Sequence, residues 1–183
     1  MPEFTDYSGP YKHDLRFEDF SKDFLIKLLY AWQMAYLRLN AFWFQAVTEK
    51  YGSEAGDDCN LKVWLNVGER VVPKFAKVGN FQLNTVVDNL KLCQLVPETN
   101  VGSEYFDGKV DIKNENHIVT TTNKCRILDT LEKVAPEKIE YFCHVMEGQV
   151  LEKYFKSPNN PHVKVTPLKL PPRKSPDDIC CKF

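Results

Sequence analysis

The chain has 183 residues, 43% of them hydrophobic and 27% charged, with a formal net charge of −1. That length supplies one full hydrophobic core, and the near-neutral charge argues against nucleic acid as a main partner, which demands a basic excess. The first twenty residues mix charge throughout with no apolar h-region, and no stretch approaches the roughly 18 apolar residues of a membrane span, so a cytoplasmic protein with no membrane partner is expected. In a reducing compartment its six cysteines read as metal ligands, reactive thiols or small core residues rather than as disulfides.

Residues 1–17 read as an irregular arm, with turn chemistry at Ser8-Gly9-Pro10 and with Tyr7 and Tyr11 available to staple it down. Residues 18–183 read as a single α+β domain, helical over 18–100 and built of hairpin, helix and strands over 103–183. A long helix follows the arm, because Phe20, Phe24, Leu28, Trp32, Tyr36, Leu39, Trp43 and Val47 recur at three- and four-residue steps. Asp19 or Ser21 would cap it and Tyr51-Gly52 would stop it, with a break expected near Leu39-Asn40. Cys59, Val63, Val67 and Val71 mark a second helix that Pro73 should kink rather than end. A short helix from Asn84 to Leu95 should finish before Pro97.

The pattern changes near residue 103. Tyr105, Lys109, Val110 and Ile112, then Ile118, Val119 and Thr120, flank a turn over 113–116, which is a β-hairpin signal ending at Cys125. A helix is predicted over 127–133. Another starts at Pro136, takes its apolar face from Ile139, Phe142, Val145, Met146, Val150 and Tyr154, and ends at Ser157-Pro158. Val163 to Leu170 and Ile179 to Phe183 read as two strands separated by Pro171-Pro172. The fold class is therefore α+β: N-terminal helices packed on a C-terminal antiparallel sheet, with an inserted helix.

Four cysteines fall in the last third, at Cys125, Cys143, Cys180 and Cys181, with His144 beside the second. Their separation is not a paired C-x-x-C pattern, so spacing leaves two readings open: small core thiols, or a discontinuous zinc or iron–sulfur site. In the second reading His144 or Glu147 is the further ligand. Strand alternation allows only one of Cys180 and Cys181 to reach the ion.

Trp32, Tyr36 and Trp43 on the long helix, with Phe142 and Met146, are candidate walls of a pocket for a small apolar molecule. Phe42, Trp43 and Phe44 in succession point in different directions, so one face of that helix should meet a partner, a ligand or a second copy in a homodimer. Arg173 and Lys174, near Lys164 and Lys169, form a basic patch that would suit an anionic ligand. Glu49, Glu54, Asp57 and Asp58 read as charges capping a helix start. No nucleophile elbow, phosphate loop or dinucleotide fingerprint is present in the sequence.

The two ends, YSGPYKHDLRFEDFSKD and KVTPLKLPPRKSPDDICCKF, resemble an uncharacterised family of small prokaryotic proteins allied to the L-2-amino-thiazoline-4-carboxylate hydrolase group. The finish on Cys181-Lys182-Phe183 more distantly resembles the 4-vinyl-reductase-type ligand-sensing domains. That resemblance implies an α+β fold holding a small molecule beside a zinc bound largely by cysteines. The expected function is thus a small-molecule-binding protein with a cysteine-ligated metal site. The alternatives are a metal-dependent hydrolase of a small amide-like or cyclic amidine substrate, and a homodimeric interaction protein with buried structural thiols.

Overall fold

A computed structural model describes residues 3–99, 106–157 and 159–183. Tyr105 and Pro158, expected to begin a strand and to end a helix, lie outside the described residues. The helices are α1 (Lys22–Tyr51), α2 (Ser53–Arg70), α3 (Val72–Val78), α4 (Val86–Cys93), α5 (Arg126–Val134) and α6 (Glu147–Phe155). The strands are β1 (Phe106–Asn114), β2 (His117–Cys125) and β3 (Cys181–Lys182), in the antiparallel order β1-β2-β3. The protein is α+β, with helices first, the sheet in the C-terminal part, and α5 and α6 inserted between β2 and β3.

The arm turns back on itself. Phe4 bridges to Phe20, their rings are tilted on one another, and the Tyr7 ring packs edge to face on both. Tyr7 also accepts the Lys12 N–H at 2.8 Å. Tyr11 staples nothing and is 86% exposed. Ser21 caps α1 by accepting the Phe24 N–H, while Asp19 is spent on the Arg16 N–H and on Lys12.

α1 runs unbroken for thirty residues, about 45 Å, against the expectation of a break near Leu39-Asn40. Asn40 does not interrupt the backbone; its side chain accepts from Trp43 Nε1 at 3.1 Å. The helix stops at Gly52, whose φ of 91° is a conformation that glycine adopts at least cost. Pro73 sits in the first turn of α3, where it has no helical hydrogen bond to lose, so α2 continues into α3 with a kink.

The core lies where α2, α3, α4 and α6 meet. Val72, Ala76, Leu92 and Val96 are buried, with Val67, Phe75, Phe81, Leu83 and Tyr154 packed around them. α4 is fixed at its start by a capping box between Thr85 and Asp88. Its Asn89, 1% exposed, donates to the Phe155 carbonyl at 2.7 Å and so ties α4 to the end of α6.

The β1–β2 hairpin has a two-residue turn at Glu115-Asn116 and projects from this body, with Val110 and Ile112 about half exposed. The Val87 N–H donates to the Glu115 carbonyl at 3.1 Å and docks the turn on α4. The strand expected over 163–170 survives only as a bridge from Lys169 to Lys182. Pro167 lies within that stretch and has no N–H for a ladder. Residues 171 and 172 are joined by a cis peptide.

Leu92→Ala removes a side chain that is 1% exposed at the centre of this core. It is expected to cost about 2–5 kcal/mol in urea unfolding, whereas truncating the exposed Ile112 should cost under about 0.5 kcal/mol.

Candidate functional site

β2 passes into α5 without a loop, and Cys125 stands at the junction. Its backbone is extended, and its sulfur accepts the Leu128 N–H at 3.4 Å, so a thiol fills the capping role usually taken by a hydroxyl or carboxylate. Cys143 lies in a π-helical segment, Glu140–Met146, and Glu147 follows four residues later at the start of α6. Lys138 fixes this segment against α2 by pairing with Asp57 and bonding Ser53, and the Tyr141 hydroxyl donates to the Asp57 carbonyl at 2.8 Å.

β3 brings the last two cysteines to the same place. Cys181 is paired with Thr122 across the ladder, and the Cys180 N–H donates to the Thr122 carbonyl at 2.8 Å. Neighbouring residues on an extended chain face opposite ways, and the two sulfurs have different surroundings. Cys180 is 1% exposed, donates to the Asn123 carbonyl at 3.3 Å, accepts the Cys125 N–H and lies 3.9 Å from Arg173 Nη1. Cys181 bonds the Thr122 side chain instead and feels the carboxylate of Glu147.

Glu147 also acts electrostatically on Cys125 and Cys143, and Cys180 acts on the thiols of Cys125, Cys143 and Cys181. The thiols of Cys125, Cys143 and Cys181 thus feel one carboxyl group in common. Burial pushes the thiols of Cys125 and Cys143 up to about 12, and Glu147 adds to both. Burial also raises the Cys181 thiol. Glu147 itself is pushed up to about 7 by burial alone, and no basic side chain among the described residues pairs with it. These thiols are protonated at neutral pH and are poor nucleophiles. Among the described residues, no three His, Cys, Asp or Glu side chains stand in an arrangement ready to hold a metal ion.

The other expected site residues are placed elsewhere. His144 is exposed and its Nε2 bonds the Pro171 carbonyl at 2.7 Å, so it does not join the thiols. Arg173 is not available to a foreign anion. Its Nη2 meets Asp129 Oδ1 at 2.8 Å, its Nε donates to Glu132 Oε1 at 3.0 Å, and Glu132 Oε2 also bonds Nη2. These two carboxylates hold its basicity above the usual guanidinium value. Lys174 contributes its backbone N–H to Asp178.

The five expected pocket residues do not line one cavity. Trp32 is 52% exposed beside Phe17. Trp43 bonds Asn40. Phe142 packs edge-on to Phe44 at 5.8 Å, and the buried Met146 accepts the Asn60 amide through sulfur. Tyr36 donates to Glu98 Oε1 at 3.0 Å, and Tyr154 reaches the same oxygen at 3.5 Å. Two concavities on the surface are open grooves. One, of about 670 Å³, has Asp107, Lys124, Arg126, Asp129 and Lys133 on its walls. The other, of about 240 Å³, lies on α1 beneath Phe17.

Glu98 is a buried acid that the sequence does not announce; a single carboxylate after a proline carries no periodic signal. Burial raises its pKa, partly offset by hydrogen bonds from the backbone and the two tyrosines, and its Oε2 has no hydrogen-bond partner. Glu147 had one signal, its i+4 spacing from Cys143 on one helix side. Comparisons with protein-family models, curated proteins and solved structures each find no match to this chain.

Two outcomes are expected. A native carboxyl raised above its ordinary value of 4.5 holds a proton that the unfolded chain releases. Glu98 should therefore favour folding below about pH 4.5 and lose that contribution as pH rises through its native value. Glu98→Gln should flatten this part of the urea-stability profile against pH. Arg173→Ala leaves two carboxylates facing each other and is expected to destabilise by about 3 kcal/mol in the same assay, with Arg173→Lys recovering only part.

Proposed function

We propose that this chain is a thiophilic-metal-binding protein, with zinc the favoured ion and Cys125, Cys143, Cys181 and Glu147 as its ligands. What supports the reading is that three desolvated thiols from separate elements all feel one desolvated carboxyl group with no basic partner among the described residues; the four side chains would close together on the ion as it binds. A divalent cation would offset that desolvation, and three sulfurs with one oxygen are a donor set that zinc accepts. The two basic side chains that act on neighbouring sulfurs are already neutralised, Arg173 by Asp129 and Glu132, and Lys169 by Asp178. Cys180 is left out of the set because its sulfur is spent on Asn123, Cys125 and Arg173.

The ion would serve structure. It would join the end of β2, the π-helical segment and β3, three pieces far apart in sequence. Because the thiols are neutral before binding, loading must expel protons. The ligand-sensing part of the expectation has less to rest on, since both of these concavities are open.

The test is elemental analysis of anaerobically purified protein, followed by zinc titration of the metal-free chain in a weakly buffered indicator solution. About one zinc per chain is expected, with proton release on binding and a rise in Tm. Cys181→Ser and Glu147→Gln should weaken zinc binding, the thiol change by the larger factor, while Cys180→Ser should leave the stoichiometry intact. Folded protein that takes up no zinc and releases no protons would leave the thiols as core residues.

A further inference from the structure

α1 has two apolar faces, and only one is used. On the first, Gln33 bonds the Pro97 carbonyl at 2.7 Å, Tyr36 packs against Trp64, and Phe44 packs against Phe142. The second is a seam of Leu25, Leu28, Trp32, Ala35, Leu39, Phe42 and Ala46 at alternating three- and four-residue steps, with Leu29 at its edge toward Tyr36. Leu29, Trp32, Leu39 and Phe42 there are 59%, 52%, 65% and 64% exposed. Between Lys27 and Glu49 the only charged residue is Arg38. A helix that packs on one side and is this apolar on the other is incomplete by itself.

The shape of this face says what covers it. Its N-terminal half is a groove of about 240 Å³, lined by Phe17, Leu25, Leu28, Leu29 and Trp32 and apolar throughout. On its C-terminal half Leu39 and Phe42 stand out from the helix, 65% and 64% exposed. A two-fold axis level with the midpoint of Ala35 and Tyr36 would pair Leu29 with Phe42 and Trp32 with Leu39, since each pair of numbers sums to 71. Antiparallel pairing of two copies sets Phe42 of each level with Leu29 of the other, at the groove, and Leu39 level with Trp32. The small Ala35 lies at the crossing, where the helices must approach most closely.

Charge favours the same orientation. The helix begins with Lys22-Asp23 and ends with Glu49-Lys50. Antiparallel pairing brings Lys22 level with Glu49 and opposes the helix dipoles. Parallel pairing would set like charges side by side at both ends.

The exposed parts of Phe17, Leu29, Trp32, Leu39 and Phe42 amount to roughly 600 Å² per copy, at about 150–250 Å² for a whole aromatic side chain. With Leu25, Leu28 and the alanines this approaches the roughly 800 Å² per partner of a specific interface. We infer that the outer face of α1 is an isologous dimer interface in which two copies pair antiparallel, each filling the other's groove with Phe42.

Sedimentation across micromolar concentrations tests this directly. The expected species has twice the 21.2 kDa chain mass. Phe42→Glu, and separately Leu39→Glu, should return it to the single-chain mass with the helical circular dichroism unchanged. Orientation is read by oxidative cross-linking in a Cys59→Ser background, because Cys59 is exposed. Ala35→Cys, near the axis, should form a disulfide-linked dimer, and Ala46→Cys should not, as its two copies would lie about 30 Å apart at 1.5 Å per residue. A monomer at all concentrations, a dimer indifferent to Phe42→Glu, or Ala46→Cys linking as readily as Ala35→Cys would each overturn the proposal.

Discussion

The C-terminal end of the chain is held by its pairing with β2, and the candidate site depends on that pairing. Thr120 and Phe183 exchange backbone hydrogen bonds at 2.9 and 3.0 Å, and the Cys180 N–H reaches the Thr122 carbonyl. Without these bonds Cys181 would be a thiol on a free tail. With them it stands beside the strand that delivers Cys125. The Lys169–Lys182 bridge extends the arrangement by one more segment. Arg173 then clamps the connecting stretch to α5 through Asp129 and Glu132, a multiply bonded guanidinium geometry that a lysine would not reproduce.

Burial rather than charge sets the chemistry of this region. Every shifted thiol in it moves upward, because desolvation opposes the thiolate and the nearest unpaired charge is another acid. That environment suits ligands that give up protons to an incoming cation, and it makes the same groups inert toward electrophiles. The helical body shows the same logic at Glu98, whose carboxyl is buried between two tyrosines. The outer face of α1 shows the reverse arrangement, with apolar side chains in water and charge confined to the helix ends. A second copy would complete it, and the metal reading does not depend on that pairing.

Much of the local structure was legible in the sequence. Ser21 caps the helix that follows it, Pro73 kinks without ending, and the hairpin turns where Lys113 to Asn116 predict it. These features depend on backbone groups within a few residues of one another, so short windows contain the cause. The failures had local causes in two places and a distant one in the third. Leu39-Asn40 does not break α1, since Asn40 turns its side chain to Trp43 and leaves the backbone ladder intact. Residues 163–170 alternate like a strand, yet Pro167 leaves them only a single bridge. Arg173 reads as an open cation until α5 supplies two carboxylates.

The amino-acid sequence by itself determined the α+β class, the order of elements, and the four cysteines of the C-terminal part, because periodicity, caps and turn residues act locally. Only the tertiary structure decided that the thiols of Cys125, Cys143 and Cys181 feel Glu147 while His144 bonds Pro171, and that Cys180 takes Asn123 and Arg173 as its partners. It also decided that Tyr36 bonds Glu98 instead of lining a pocket, and that one face of α1 remains uncovered among the described residues. Those choices depend on which side of a helix or strand meets an element many residues away. A one-residue change of face, as between Cys180 and Cys181, is invisible in composition and decisive for chemistry.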